Sequence, residues 1–247
     1  MKRVVIKIGT KVITRDSGEL DVAIMLHLVE QVARARKSGI KVILVTSGAV
    51  GAGRSLLPAK RPAYVPEKQV HAAVGQVKLM GIYSKLFEKH NYLCAQVLVT
   101  KEDFRDRVHY QNMKNCFQAL LASSVIPIVN ENDVTATTEL LFTDNDELAG
   151  LVASQLGADA VIILTNTDGV LDQNKKVIPE IRNNNAARVE ASISPATNTF
   201  GRGGMLTKYR IARKLARQGI AVYIANGKRK NVLIDLLAGR ALGTRFC

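Results

Sequence analysis

The chain has 247 residues, of which 47% are hydrophobic, and this suits one large globular α/β domain with an ample core. Its three cysteines form no C-x-x-C pair and its four histidines share no metal-ligand spacing, which argues against a disulfide framework or a zinc site. The formal net charge is +14. No apolar run approaches the roughly 20 residues that cross a bilayer, and no leader-peptide pattern is present, so a cytoplasmic protein with no membrane partner is expected.

Hydrophobic periodicity predicts strands that alternate with helices along the chain. The predicted strands cover residues 4–8, 41–46, 93–99, 126–129, 160–164 and 221–224. The predicted helices cover residues 22–37, about 66–89, 108–122, 145–155 and 205–218. Helices between hydrophobic strands favour right-handed β-α-β units, so we expect a three-layer α-β-α sandwich around a mostly parallel central sheet. No linker or low-complexity tract interrupts residues 1–247, and a single domain is therefore expected.

Polar segments follow several of the predicted strands. They are Gly9-Thr10, Ser47-Gly48, residues 130–133 and Thr165-Asn166. Ligands of parallel sheets gather at the carboxyl ends of the strands, so these segments predict one composite site.

Charge is distributed unevenly along the chain. Residues 115–174 hold nine acidic residues and no Lys or Arg, while residues 202–247 hold eleven basic residues and one acidic residue. Two acidic segments, Asn-Glu-Asn-Asp at 130–133 and Thr-Asp-Asn-Asp at 143–146, follow hydrophobic runs. Carboxylates this dense repel one another unless cations compensate them, and lysines from distant parts of the chain could do so. Aromatic residues do not interleave with the basic ones, which disfavours a nucleic-acid surface.

Two basic elements suit an anionic ligand. Lys7 lies in an otherwise apolar strand, where an ammonium group is costly to bury unless it meets an anion. The segment Gly-Arg-Gly-Gly-Met-Leu-Thr-Lys at 201–208 precedes a predicted helix, so backbone amides, the helix dipole and Lys208 could converge on phosphates. An edge-strand lysine and a plain helix entry are the competing interpretations. Together these features favour phosphoryl transfer, which depends mainly on positioning and electrostatic stabilisation.

Five segments resemble the glutamate 5-kinases, a family within the amino acid kinase superfamily. They are residues 6–10, 45–49, 128–133, 144–146 and 203–208, in collinear order over nearly the whole chain. The resemblance implies the amino acid kinase fold and ATP-dependent phosphorylation of the side-chain carboxylate of L-glutamate. That reaction gives L-glutamyl 5-phosphate, the first step of proline biosynthesis.

The resemblance also implies a role for each motif residue. Lys7, Asp146 and Lys208 would be catalytic, with Asp146 orienting the two lysines. Glutamate would bind to Ser47, Asp133 and Asn145. ATP would bind to Lys7, Thr165, Asn166, Arg202, Gly203, Gly204, Met205, Leu206, Thr207 and Lys208. Mg²⁺ would bridge the phosphates with no metal site on the protein. Residues up to about 160 would bind glutamate, whereas residues from about 161 to 247 would bind ATP.

Some features depart from the family pattern or leave other functions open. Asn166 stands where relatives often have Asp, Arg202 where they have a small residue, and Thr143 where Gly is common, which bears on nucleotide preference. Many members carry an RNA-binding-like PUA domain, and none is expected within these 247 residues. A homo-oligomer, dimer or tetramer, and glutamyl phosphate reductase as a partner are expected. The alternatives are an acetylglutamate kinase-like enzyme, a UMP kinase, or a non-catalytic RNA-binding or regulatory homologue.

Overall fold

A computed structural model of the protein describes residues 1–57, 65–136, 142, 144–193 and 204–247, with the side chains of residues 65, 66 and 183 left out. Within these residues one sheet contains eight strands. The strands are β1 (Arg3–Ile8), β2 (Lys41–Thr46), β3 (Cys94–Val99), β4 (Ile126–Glu131), β5 (Ala160–Thr165), β6 (Glu180–Ile181), β7 (Ala221–Asn226) and β8 (Thr244–Phe246).

The helices lie between and beyond the strands. They are α1 (Thr10–Ile13), α2 (Val22–Lys37), α3 (Ala49–Arg54), α4 (Val65–Glu88), α5 (Arg107–Ala122), α6 (Asn145–Leu156), α7 (Asn183–Ser192), α8 (Met205–Arg217) and α9 (Val232–Leu237). Side-chain caps fix where two of them begin: Asp21 accepts from the second and third amides of α2, and Asp106 accepts from His109 N in α5. Within the described residues no helix is long and apolar enough to cross a membrane.

The sheet order is β3-β4-β2-β1-β5-β7-β8-β6. The first six strands in this order pair in parallel, whereas β8 runs antiparallel to β7 and carries β6 parallel to itself. Because the chain moves from β1 toward β2 on one side and returns to β5 on the other, the carboxyl ends of β1, β2 and β5 form the crevice in which ligands of such sheets bind.

Two hydrophobic cores cover the two faces of the sheet. Ile6 and its neighbours pack beneath α2, α3, α4 and α9, while Val5 and its neighbours pack beneath α5, α6, α7 and α8. Alternate residues of a strand face opposite layers, so the apolar side chains of β1 are shared between the two cores. The predicted α-β-α sandwich with a mostly parallel sheet is confirmed.

Helices α3 and α4 meet backbone to backbone. A methyl group on Gly75 would overlap the carbonyl oxygen of Ala49, and one on Gly53 would overlap that of His71. Only residues without a Cβ allow this approach. The turn from β2 into α3 also requires glycine, because Gly48 has φ +103°.

The predicted elements differ from the observed ones at their ends. Strand β4 extends two residues further than predicted, so Asn130 and Glu131 are its last residues and not part of a loop; they pair with Leu98 and Val99 of β3. The helices α1, α3, α7 and α9 and the strands β6 and β8 were not predicted, because they are short and none is a continuous apolar run that would mark a buried strand.

Candidate active site

Lys7 lies in β1 and points into the layer that contains α6 and α8. It is 5% exposed, and its ammonium contacts Asp146 Oδ1 at 2.6 Å. Since Val5 packs against the same layer, the alternation of β1 delivers the Lys7 side chain under the first turn of α6. The edge-strand interpretation of this lysine is therefore wrong, because β1 is central in the sheet.

Asp146 holds a second lysine with its other oxygen. Lys208, in the first turn of α8, donates to Asp146 Oδ2 at 2.8 Å and is 9% exposed. Asp146 itself is fully buried. The three charged groups predicted to be catalytic thus meet in one cluster, although 62 residues separate Asp146 from Lys208 along the chain.

The cluster shifts the pKa values of two carboxyl groups in opposite directions. Burial acts to raise the pKa of Asp146, but the ammonium groups of Lys7 and Lys208 outweigh it and hold that pKa well below its usual range. Burial, together with repulsion from Asp146, raises the pKa of Asp144 to about 6. Asp146 is therefore ionised at neutral pH and provides the counter-charge that keeps two buried ammonium groups side by side.

Asp144 begins helix α6. Its Oδ1 accepts from Asp146 N at 2.7 Å and from Glu147 N at 3.3 Å, which is the geometry of a helix cap. Its buried Oδ2 lies 3.9 Å from the Lys208 ammonium and accepts no hydrogen bond from the described residues. The sequence placed Asp144 inside an acidic motif without giving it a role, although an Asp followed three residues later by Glu is a helix-start signal.

Asn145, next to Asp146 in α6, faces the end of β2. Its Nδ2 donates to Thr46 O at 2.5 Å, to Ser47 Oγ at 2.9 Å and to Asn130 Oδ1 at 3.0 Å. Two of the three residues predicted to bind glutamate, Ser47 and Asn145, are thus in direct contact. This hydrogen-bonded group adjoins the lysine cluster, because Asn145 and Asp146 are consecutive residues of α6.

Asp133, the third predicted glutamate ligand, follows β4. Its carboxylate contacts the Lys68 ammonium at 2.7 Å, and the neighbouring Gln69 donates to Val134 O at 2.9 Å. The first turn of α4 therefore rests on the segment that carries Asp133. No sequence signal indicated Lys68, because 65 residues separate it from Asp133.

The other half of the site lies at the ends of β5 and β7. Thr165 is buried and Asn166 is exposed at the end of β5, where Gly227 N donates to Thr165 O at 2.8 Å. Asn226, the last residue of β7, donates to Asp168 Oδ1 at 3.0 Å. The predicted strand 221–224 ended too early to include Asn226, which the structure adds as a neighbour of the predicted nucleotide residues.

The helix α8 contributes the remaining predicted nucleotide ligands. Gly204 caps its start, and Met205, Leu206 and Thr207 form its first turn before Lys208, each partly exposed. Arg202 and Gly203 lie outside the described residues, as does Thr143. Among the described residues, no group of three or more His, Cys, Asp or Glu side chains is arranged to hold a metal ion.

The chain is similar to a family model and to several known proteins. A model of the amino acid kinase family matches residues 2–226. The chain is 50% identical to a glutamate 5-kinase of Chlorobaculum tepidum, over 99% of this chain and 69% of that protein. It is 42% identical to a glutamate 5-kinase of Clostridium acetobutylicum, over 100% of this chain and 94% of that protein. The chain belongs to the glutamate 5-kinases of the amino acid kinase family.

One further relative and one solved structure are also similar to this chain. A glutamate 5-kinase of Bacteroides thetaiotaomicron is 49% identical over 95% of this chain, which spans 66% of that relative. The solved carbamate kinase from Giardia lamblia bound to AMP-PNP superposes with a TM-score of 0.72, over 99% of this chain and 98% of that chain. At 20% identity the carbamate kinase supports the fold alone. The resemblance to glutamate 5-kinases and the amino acid kinase fold, both predicted from sequence, are confirmed.

Proposed function

We propose that this chain transfers the γ-phosphoryl group of ATP to the side-chain carboxylate of L-glutamate and forms L-glutamyl 5-phosphate. The observation that carries this proposal is the cluster in which Asp146 holds the ammonium groups of Lys7 and Lys208 at 2.6 and 2.8 Å. The glutamate 5-kinase names of relatives that are 42–50% identical support the same reaction, and with it a place in proline biosynthesis.

Lys7 and Lys208 would stabilise the charge that spreads over the transferred phosphoryl group and its bridging oxygens. Phosphoryl transfer needs little covalent chemistry from the protein, so placing donors where charge develops is its main contribution. Lys7 comes from the strand between the two halves of the site, and Lys208 comes from the helix on the nucleotide side. Asp146 would fix the distance between them and orient both ammonium groups toward the phosphate oxygens.

Glutamate would bind in the pocket of Ser47, Asn145 and Asp133. The partly exposed carboxylate of Asp133 would accept the α-ammonium group. Because Ser47 Oγ accepts from Asn145, its own hydroxyl hydrogen is left to donate to a substrate carboxylate. No general base is required, since a side-chain carboxylate with a pKa of about 4.3 is already ionised at neutral pH.

ATP would bind across the ends of β5 and β7, with Thr165 and Asn166 on one side and residues 202–208 on the other. The start of α8 presents backbone amides and Lys208 toward the phosphates, which is a favourable environment for an anion. Mg²⁺ would enter with ATP as part of the substrate and neutralise phosphate charge. Residues up to about 160 would thus mainly bind glutamate, and residues from about 161 to 247 would bind ATP.

The acceptor pocket favours glutamate over the alternative substrates. N-acetylglutamate lacks the α-ammonium group that a carboxylate at Asp133 would recognise, and UMP would need cations where the pocket has an acid. A non-catalytic RNA-binding role would not require the buried cluster of Lys7, Asp146 and Lys208. A homo-oligomeric state and a reductase that accepts the acyl phosphate remain predictions.

An acyl-phosphate assay tests the proposal. The protein is supplied with ATP, Mg²⁺ and one of L-glutamate, N-acetylglutamate, aspartate or UMP, while ADP release is followed and acyl phosphates are trapped with hydroxylamine. We expect hydroxamate with L-glutamate alone, and its loss in Lys208→Ala. Product with another acceptor, or equal activity in Lys208→Ala, would contradict the proposed reaction.

A further inference from the structure

Four carboxamide side chains form a continuous hydrogen-bonded chain from the acceptor pocket to the edge of the sheet. Asn145 donates to Asn130 at 3.0 Å, Asn130 donates to Gln76 at 3.0 Å, and Gln76 donates to Gln96 at 3.0 Å. Gln76, in α4, is 8% exposed, and Asn130, in β4, is 3% exposed. Buried amides of this kind are costly to leave without partners, so each link constrains the next.

Two backbone groups show which way the first two amides in this carboxamide chain face. Thr46 O can only accept, so the Asn145 atom at 2.5 Å from it must be the amide nitrogen. Glu131 N can only donate, so the Asn130 atom at 2.9 Å from it must be the oxygen. The NH₂ group of Asn130 must then face Gln76, and the carbonyl oxygen of Gln76 must accept its hydrogen bond.

This polarity determines what Asn145 can offer a ligand. Its NH₂ group has three acceptors within 3.0 Å, namely Thr46 O, Ser47 Oγ and Asn130 Oδ1, and these use both of its hydrogens. The amide oxygen is the polar atom that remains. An oxygen accepts hydrogen bonds, so it complements an ammonium group and not a carboxylate.

We propose that Gln76 is a positioning residue that makes the acceptor pocket selective for a substrate with an α-ammonium group. Its carbonyl oxygen accepts from Asn130 and thereby fixes Asn130, which in turn holds Asn145 with its oxygen toward the ligand. Without that acceptor, Asn130 Nδ2 is a buried donor with no acceptor among the described residues. Turning the amide over would set two donors, Asn130 Nδ2 and Glu131 N, against each other. The inference rests on the proposed function, because it takes glutamate as the acceptor.

The test compares three glutamine variants. Gln76→Met keeps the length of the side chain and removes the acceptor, whereas Gln76→Glu keeps an oxygen for Asn130. Gln31→Met is the matched control, since Gln31 is another glutamine only 4% exposed, located in α2 and hydrogen-bonded to His27 O and Leu233 N. For each variant we would measure kcat, the KM of glutamate, the KM of ATP, and the inhibition constant of glutarate, which is glutamate without its α-ammonium group.

Gln76→Met is expected to raise the glutamate KM about tenfold, the size of one lost hydrogen bond to a charged group, while the ATP KM and the glutarate inhibition constant stay the same. Gln76→Glu and Gln31→Met are expected to keep the wild-type ratio of glutamate KM to glutarate inhibition constant. The measurement is thus sensitive to recognition of the ammonium group, which a general loss of packing would not change selectively.

Three outcomes would overturn the inference. The first is an unchanged glutamate KM in Gln76→Met, and the second is an equal loss of glutamate and glutarate binding. The third applies if Gln76→Met does not fold, in which case Gln76→Glu is the test: a tenfold rise in the glutamate KM of Gln76→Glu would overturn the inference. Failure of the wild-type protein to phosphorylate glutamate is distinguishable from all three, because it refutes the proposed function and removes this inference with it.

Discussion

Replacing Asp146 with asparagine removes the charge that holds two lysines together and keeps the size of the side chain. Each carboxylate oxygen of Asp146 binds one ammonium group, Lys7 at 2.6 Å and Lys208 at 2.8 Å. Losing one correctly placed donor typically lowers kcat by about 10²–10³-fold, and Asp146→Asn displaces two, so we expect a loss of at least this size. The KM of ATP is expected not to rise, because both positive charges remain and a negative charge has gone.

The same substitution also affects stability. It removes the charge that Asp146 supplies to two buried ammonium groups, and breaking a buried ion pair costs about 3–5 kcal/mol. The assay must therefore be run well below the unfolding midpoint, with circular dichroism on the same sample. Asp159→Asn is a matched control at the opposite end of the sheet, where the carboxylate accepts from Arg3 N at 2.8 Å. A folded Asp146→Asn protein with kcat within about threefold of wild type would refute the role of this cluster in orienting donors.

Three further substitutions test other parts of the site and fold. Asp133→Asn is expected to raise the glutamate KM by about tenfold or more with little change for ATP, since hydrogen bonds to charged groups contribute about 1.5–3 kcal/mol; equal effects on both substrates would show that Asp133 is not in the acceptor pocket. Asp144→Asn keeps the helix cap but removes a carboxylate whose pKa is raised to about 6 in the fold. The fold disfavours the ionised form of Asp144, so this carboxylate destabilises the protein fully above about pH 6 and ceases to do so as the pH falls toward the unfolded pKa of about 3.9. In urea unfolding, the free energy of unfolding of the variant should exceed that of wild type by up to about 3 kcal/mol near pH 8. Near pH 4 the two should be equal. A pH-independent difference would contradict the burial of that charge. Gly75→Ala should destabilise by about 1–3 kcal/mol or more in thermal unfolding, because its methyl group would overlap Ala49 O, whereas Gly81→Ala in the same helix has open space and should be neutral or slightly stabilising. Equal unfolding temperatures for the two alanine variants would rule out close helix packing.

The parallel sheet could be predicted from sequence because its central strands are continuous apolar runs with sharp polar ends. Residues 160–164 are buried without exception, and such a run between two helical segments favours a central strand. The last strand, β8, has three residues, one of which is the exposed Arg245, so local pattern could not distinguish it from a loop. Its position depends on pairing with β7, a long-range contact that periodicity does not report.

The charged centre of the site could be predicted because its residues lie in recognisable motifs. Lys7 was indicated by its apolar surroundings, Lys208 by the glycine-rich segment before its helix, and the role of Asp146 by the resemblance to a family. Lys68 and Gln76 could not be found in this way, because their partners lie 65 and 54 residues away and a helix of mixed composition gives no sign of which side chains face a pocket. Those contacts exist only after α4 has packed on the sheet.

The direct contact between the backbones of α3 and α4 has a mechanical consequence. At Gly53 and Gly75 no side chain separates the two backbones, so we expect the helices to be held tightly at this crossing and to shift together. A ligand that draws the turn at Ser47 inward would therefore pull α4 along with it. Since Gln76 of α4 donates to Gln96 of the edge strand β3, filling the acceptor pocket would also displace a contact at the border of the sheet.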